Sequence, residues 1–227
     1  MKNDNPAQTE ACLQCGFIHN CICHLQPDIH NAFQLAILSH PKELNKESNT
    51  GRLLQNSLSN CQTYTWSRVE PVEALITASQ NPNTRTWLLF PHPDATSSAE
   101  FQQRVEQEII QPQQQLFIIL DSTWQEAKKM LRKSPWLQDL PCLSLDLKHL
   151  SEYQLRRNQQ AGNYCTCEVG IELLSLMKMP EQAENLHHYF SAFNTVFQAD
   201  KSGHQYLGEV NTRDTHAESD LNDRESV

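Results

Sequence analysis

Residues 117–135 place an acid at the end of an apolar strand. They read FIILDSTWQEAKKMLRKSP, so the strand ends at Asp121 and a helix follows directly. In open α/β sheets ligands bind in the crevice outside the carboxyl ends of the strands, which makes Asp121 a candidate for chemistry. Ser122 or Thr123 can cap the helix, and from this segment alone an ordinary helix cap is an equally good interpretation.

The helix after this corner carries a run of cations that can meet phosphate: Lys128, Lys129, Arg132 and Lys133. Residues 121–157 hold seven bases and five acids, whereas residues 200–227 hold seven acids and three bases, in a chain of net charge -9. A local basic face on an acidic protein remains compatible with nucleic acid, because the field near a site steers a polyanion more than the total charge does. A solvated surface of mixed charge would show the same small excess.

Four cysteines near the N-terminus have the spacing of a metal site. They read C-x2-C-x5-C-x-C and are Cys12, Cys15, Cys21 and Cys23. Four thiolates so close can surround one tetrahedral ion, which predicts structural zinc. An iron–sulfur cluster and a redox pair at Cys12 and Cys15 are the alternatives, and His19 or His24 could replace one thiolate. A closed four-thiolate site has no open position, so its predicted role is folding and RNA docking, not catalysis.

Composition bounds the class of protein. No run of about 18 apolar residues predicts a membrane span, and the first residues contain no apolar stretch typical of a secretory signal, so we expect a cytoplasmic protein without membrane contact. In a reducing compartment eight cysteines favour metal or thiolate chemistry over disulfides. Cys165 and Cys167 have no further partner nearby and are interpreted as buried small residues.

Short apolar strands and longer helical stretches alternate from Phe33 onward. Strands are predicted at 34–39, 63–66, 86–90, 116–120 and 142–145. Helices are predicted at 50–58, 72–79, 99–110, 122–132, 168–177 and 181–197. Because strands such as LFIIL lack polar alternation, the pattern predicts an α/β fold in which a mostly parallel sheet has helices on both faces.

The chain divides into three predicted regions. Residues 1–30 form a small N-terminal zinc-binding module built on the four clustered cysteines, and residues 31–199 form the α/β domain. Residues 200–227 lose apolar periodicity and form an acidic tail that we expect to be disordered.

Five motifs in their order resemble the DTW-domain family. They are the cysteine cluster, residues 40–43 (HPKE) with 46–54 (KESNTGRLL), residues 89–91 (LFP) with 94–95 (DA), residues 121–124 (DSTW) and residues 153–157 (YQLRR). Asp121, Thr123 and Trp124 fill the Asp-x-Thr-Trp element, and the resemblance covers about Cys12 to Phe197. It implies a SPOUT-like knotted fold that transfers the aminocarboxypropyl group of S-adenosylmethionine to N3 of a tRNA uridine, in the variable loop.

The reaction that the resemblance implies suggests roles for single residues. The catalytic candidates are Asp121, Thr123 and Trp124. Asp121 either takes the uridine N3 proton or only orients the partners. Trp124 either stacks on the uracil or packs in the core. Residues assigned to the cofactor are Asn49, Thr50, Gly51, Phe90, Pro91, Arg156, Thr166 and Glu168. Residues assigned to RNA are Lys128, Lys129, Arg132, Lys133 and Arg157. A helix start at Asn49–Gly51 can bind an anion through its free amides or be a cap and nothing more.

One segment departs from the family pattern. Members usually read Leu-Ser-Thr-Leu-Glu-Ala before the next helix, whereas residues 164–169 read YCTCEV. Thr166 and Glu168 keep the polar positions, but Cys165 replaces a hydroxyl and Val169 a small residue. A thiol is a poorer hydrogen-bonding group than a hydroxyl, which leaves the role of this loop open.

Two other functions remain as alternatives. A methyltransferase of the same knotted class would use the same cofactor and release S-adenosylhomocysteine instead of methylthioadenosine. A zinc-bearing RNA-binding adaptor would have no catalysis at all. The sequence leaves the oligomeric state open.

Overall fold

A six-stranded parallel sheet forms the centre of the protein. The computed structural model describes residues 10–107, 111, 114–146 and 164–208. The strands are β1 (Gln34–Ser39), β2 (Cys61–Thr65), β3 (Arg85–Leu89), β4 (Thr96–Ser97), β5 (Gln115–Asp121) and β6 (Cys142–Ser144). Their order is β2-β1-β5-β3-β6-β4, and each of these pairings is parallel. The predicted parallel sheet is confirmed.

Helices connect the strands. They are α1 (Pro41–Leu44), α2 (Gly51–Ser57), α3 (Glu73–Ser79), α4 (Ser98–Glu106), α5 (Trp124–Lys133), α6 (Pro135–Gln138), α7 (Thr166–Leu176) and α8 (Pro180–Lys201), with a 3-10 turn at Cys23–Leu25. The sequence pattern did not predict β4, α1 or α6, because elements of two to four residues are too short to show a period. Helix α5 begins two residues later than predicted because Thr123 is its N-cap.

The sheet is covered on both faces, as predicted. Leu35 and Ile37 of β1 pack into a core that includes side chains of α2, α7 and α8. Their neighbours Ala36 and Leu38 point to the opposite face and pack with α3, α5 and α6. All residues of β5 are buried, which explains why its sequence is a continuous apolar run before Asp121.

The segment that contains the four clustered cysteines is attached to the end of α8. The ring of Phe17 lies 5.4 Å from that of Phe193 and 6.2 Å from that of Phe197. The Asp200 carboxylate accepts hydrogen bonds from the backbone N–H groups of residues 18–20 at 3.1, 2.7 and 2.8 Å. The last turn of α8 therefore holds the loop between the second and third cysteine in place.

Some of the sequence predictions concern residues 1–9, 147–163 and 209–227, which lie outside the described residues. They involve Arg156, Arg157 and most of the acidic tail. The SPOUT-like knot also stays a prediction, since residues 147–163 connect β6 to α7. Within the described part of the chain, no helix has both the length and the hydropathy to cross a membrane.

Candidate active site

Side chains from three elements converge on Asp121. The side chain lies at the end of β5, and the residue is 1% exposed. Its Oδ2 accepts hydrogen bonds from Ser39 Oγ at 2.8 Å and from Asn49 Nδ2 at 3.1 Å. Its Oδ1 accepts one from Thr166 Oγ1 at 2.6 Å. The carboxylate thus ties the end of β1, the turn before α2 and the first residue of α7 to one point.

Strand register explains why two of these residues meet. β1 and β5 are adjacent and parallel, and Ser39 is the register partner of Asp121. The backbone N–H of His40 donates to the Asp121 carbonyl at 3.0 Å, so both strands end together. This common edge is the place where parallel sheets bind ligands.

The turn before α2 is held by its own side chains. Asn49 Nδ2 also donates to the Glu43 carbonyl at 2.9 Å, and Asn49 Oδ1 accepts from the Gly51 N–H at 2.7 Å. A Cβ at Gly51 would lie 3.0 Å from Asn49 Oδ1 and 3.4 Å from Asp121 Oδ2, so glycine permits this close approach. Thr50 Oγ1 accepts from the Cys167 N–H at 3.3 Å. Asn49 thus takes up the Gly51 amide from the turn before the N-cap Thr50, and the turn is built around Asp121.

The Asp-Ser-Thr-Trp corner contains both a helix cap and the site acid. Thr123 is the N-cap of α5, and its hydroxyl accepts from the Glu126 N–H at 3.4 Å and lies 3.0 Å from Glu126 Oε2. Burial opposes ionisation of Glu126, but its hydrogen bond with Thr123 and the nearby His40 and Lys42 outweigh burial and lower the pKa of this carboxyl. Thr123 and Glu126 thus start the helix, while Asp121 faces the polar cluster.

Trp124 forms an aromatic wall with Phe90. The two rings are stacked at 5.0 Å with an interplanar angle of 13°. Phe90 is 8% exposed, whereas Trp124 is 39% exposed. The Lys128 ammonium lies 4.9 Å from the centre of the Trp124 ring. The two aromatic residues assigned by resemblance, one after β3 and one after β5, are therefore brought together at the same edge of the sheet.

The cations of α5 face solvent. On its solvent side lie four exposed cations, Lys128, Lys129, Arg132 and Lys133. Ala127, just before the first of these cations, and Met130, between the second and third, are buried against the sheet. The basic face therefore begins next to Trp124 and continues along the outer side of the helix.

The loop before α7 departs from the family pattern at Cys165, which has no hydroxyl, yet Thr166 still reaches Asp121. Glu168 accepts a hydrogen bond from the Cys165 N–H at 2.8 Å and so fixes the start of α7. Burial raises the pKa of the Cys165 and Cys167 thiols, and the Glu168 carboxylate raises that of Cys165 further, which keeps both thiols protonated. The two cysteines occupy the buried positions expected of small apolar residues.

The thiols of Cys12, Cys15, Cys21 and Cys23 form the candidate metal centre. Their Sγ atoms lie within 4.8 Å of one another, with separations of 3.5 Å for Cys12–Cys23 and 3.8 Å for both Cys15–Cys21 and Cys12–Cys21. Tetrahedral zinc with Zn–S bonds of about 2.3 Å has sulfur atoms about 3.8 Å apart. The arrangement of thiols therefore fits zinc.

The thiols differ in their acidity. Hydrogen bonds from the backbone at Cys15 and Gln14 lower the pKa of Cys12 to about 6. Burial raises the pKa of Cys15 and of Cys23. One thiolate is thus available to capture an ion at neutral pH, and binding must displace protons from Cys15 and Cys23, whose pKa values are raised.

Ser39 was missed in the sequence. It is 1% exposed and donates directly to Asp121. The signal that could have found it is its position, since it is the single polar residue that ends the apolar β1 just before His40-Pro41.

Comparisons with known proteins agree with the motifs. A family model described as the DTW domain matches residues 9–198. The chain is similar to tRNA-uridine aminocarboxypropyltransferase 2 of Drosophila melanogaster, with 25% identity over 195 residues that cover 81% of this chain and 73% of the relative. No solved structure matches the chain.

Proposed function

Because the chain belongs to the DTW-domain family, we propose that it transfers the aminocarboxypropyl group of S-adenosylmethionine to N3 of a tRNA uridine. The Drosophila relative is named for aminocarboxypropyl transfer to tRNA uridine. The observation that carries the proposal is the convergence of Ser39, Asn49 and Thr166 on buried Asp121 of the Asp-x-Thr-Trp element. Such a polar cluster at the carboxyl edge of a parallel sheet is a costly arrangement for a site with no ligand to position.

The reaction needs orientation more than reactive protein groups. Uridine N3 attacks the methylene next to the sulfonium on the methionine side, and a new N–C bond forms. The C–S bond breaks, its electron pair stays on sulfur, and methylthioadenosine leaves, while the N3 proton passes to an acceptor. Because the protein forms no covalent bond, its contribution is to select this carbon by position and to assist proton loss.

Asp121 acts in this proposal as a positioning residue. Three protein groups already donate to its carboxylate, so it supports the surrounding side chains. Asp121 holds the turn at residues 49–51 and Thr166, which form one side of the cofactor pocket in this proposal. Phe90 and Pro91 form another side, and Glu168 fixes the loop before α7. Arg156, whose guanidinium group suits planar oxyanions, stays a candidate to bind the cofactor carboxylate.

Trp124 and α5 receive the tRNA in this proposal. The exposed Trp124 ring offers a surface for a splayed-out uracil once the Lys128 ammonium moves to a phosphate. The remaining α5 cations, with Arg157, track the backbone, so binding should weaken with rising salt. The four-thiolate centre would hold zinc, which supplies folding energy and leaves no open position for chemistry.

The small-molecule product tests this reaction. Purified zinc-loaded protein is incubated with S-adenosylmethionine and unmodified tRNA, and the nucleosides released are separated by chromatography and mass spectrometry. We expect methylthioadenosine in amounts equal to modified uridine, and none when tRNA is left out. S-adenosylhomocysteine would identify a methyltransferase, and the absence of both products would favour the adaptor.

A further inference from the structure

Arg52, in the first turn of α2, touches three separate parts of the protein. Its Nη2 donates to the Glu47 carbonyl at 2.5 Å, in the loop that leads to Asn49. Its guanidinium carbon lies 5.5 Å from the centre of the Phe193 ring in α8. A Cβ at Gly16 would lie only 2.8 Å from Arg52 Nη1. The loop of residues 12–23 that holds the four cysteines, here called the cysteine loop, therefore lies directly against the guanidinium group.

A second contact joins the cysteine loop to the other end of α2. Asn56 Nδ2 donates to the Gln14 carbonyl at 3.1 Å, and Gln26 Nε2 donates to the Asn56 carbonyl at 2.8 Å. Arg52 and Asn56 are four residues apart and therefore lie on the same face of the helix. The cysteine loop packs along this face.

Helix α2 leads from that contact to the candidate active site. Its N-terminal flank is the turn in which Asn49 donates to Asp121. On another side α2 packs closely on α7, since a Cβ at Gly170 would overlap the Leu54 side chain. A shift of α2 would therefore move Asn49 together with α7, which carries Thr166.

Metal binding by the four thiolates would change the charge next to Arg52. A zinc ion bound by four thiolates carries net negative charge. The Arg52 guanidinium lies against the residue that follows Cys15, where it can offset that charge. The same guanidinium holds the Glu47 carbonyl, so the position of the loop before Asn49 depends on the charge and shape of the cysteine loop.

We propose that Arg52 is a positioning residue that couples the metal-loaded cysteine loop to the turn at residues 49–51. In this proposal the candidate metal centre controls the affinity for S-adenosylmethionine as well as folding. This inference rests on the proposed function, because that function places the cofactor at this turn.

The test compares Arg52→Ala with the wild type, both as full-length, zinc-loaded protein. We expect the KM and the calorimetric Kd for S-adenosylmethionine to rise about tenfold, as for the loss of one charge-assisted hydrogen bond. The KM for tRNA and the zinc content should stay unchanged. Arg52→Lys, which keeps the charge but not the fork, should recover part of the affinity.

Hydrogen exchange supplies a second measurement that does not need the cofactor. Backbone amides of residues 46–51 should exchange faster in Arg52→Ala, and also in the wild type after zinc removal, while amides of β1 and β5 keep their protection. Arg85→Ala is the matched control. The Arg85 guanidinium also lies over an aromatic ring, 4.9 Å from the centre of the Trp87 ring. Arg85 begins β3, however, and so lies at the amino ends of the strands, opposite the candidate site.

Four results would overturn the coupling. The first three are wild-type cofactor affinity in Arg52→Ala, unchanged exchange at residues 46–51, and an equal loss of cofactor affinity in Arg85→Ala. A uniform loss of protection across the sheet would also overturn it, since it would indicate a purely structural role. If the zinc-loaded wild type binds no S-adenosylmethionine, the proposed function fails, and the exchange experiment alone decides whether Arg52 transmits the metal state to the turn.

Discussion

Replacement of Asp121 by alanine is expected to lower kcat/KM at least about a hundredfold. The change removes the acceptor for Ser39, Asn49 and Thr166, which are all buried at this point. Each buried donor left without a partner costs about 1–3 kcal/mol, so the three side chains will rearrange. A reaction that depends on placing one carbon of the cofactor in line with uridine N3 cannot tolerate such movement. Steady-state kinetics with tRNA checks this expectation.

Asp121→Asn is the matched variant that separates position from charge. Its amide oxygen can accept from Ser39 and Asn49, and its amide nitrogen can donate to the Thr166 hydroxyl, which can turn to accept. We therefore expect a loss of only about tenfold, with a melting temperature close to that of the wild type. If Asp121→Asn is folded but as inactive as the alanine variant, the charged carboxylate or its proton is required, and the positioning role is wrong. An adaptor, by contrast, would keep its cellular role in both variants.

Cys15→Ser is expected to abolish stoichiometric zinc binding and to lower the melting temperature by about 10 °C. Cys15 is 1% exposed and belongs to the same hydrophobic core as Phe17, Phe33 and Phe193. Structural zinc sites contribute about 10–16 kcal/mol of apparent binding free energy, and we expect loss of the site to cost several kcal/mol of folding stability. In a chain of this size each kcal/mol changes the melting temperature by about 2–4 °C.

Cys142→Ser is the control for this prediction, because Cys142 lies in β6 outside the metal cluster. Metal analysis should find one zinc per chain in the wild type and in the control. Full zinc content together with an unchanged melting temperature in Cys15→Ser would contradict the assignment. A brown protein with visible absorption would instead support the iron–sulfur alternative.

The sequence predicts the centre of the sheet because β1, β3 and β5 each contain an apolar run. The continuous run that ends at Asp121 is β5, which lies in the middle of the sheet and is buried on both faces. The two-residue β4 carries no such signal, since its existence depends on pairing with β6. The pattern of apolar residues therefore identifies strands and helices that carry their own sequence signal, and it misses those that only tertiary contacts define.

The site was predicted in part for the same reason. Asp121 is recognisable because it ends a strand, and the resemblance adds Asn49 and Thr166. Ser39 becomes visible only when β1 and β5 are known to be neighbours in register. The contact of Asp200 with residues 18–20 joins distant parts of the chain and has no local sequence signal.

Nucleoside mass spectrometry of tRNA from cells that lack this gene tests the proposed reaction most directly. We expect aminocarboxypropyluridine to disappear from tRNA and to return when the wild-type gene is restored, but not when the gene carries Asp121→Ala. An unchanged level of this nucleoside in the deletion strain would contradict the proposed function.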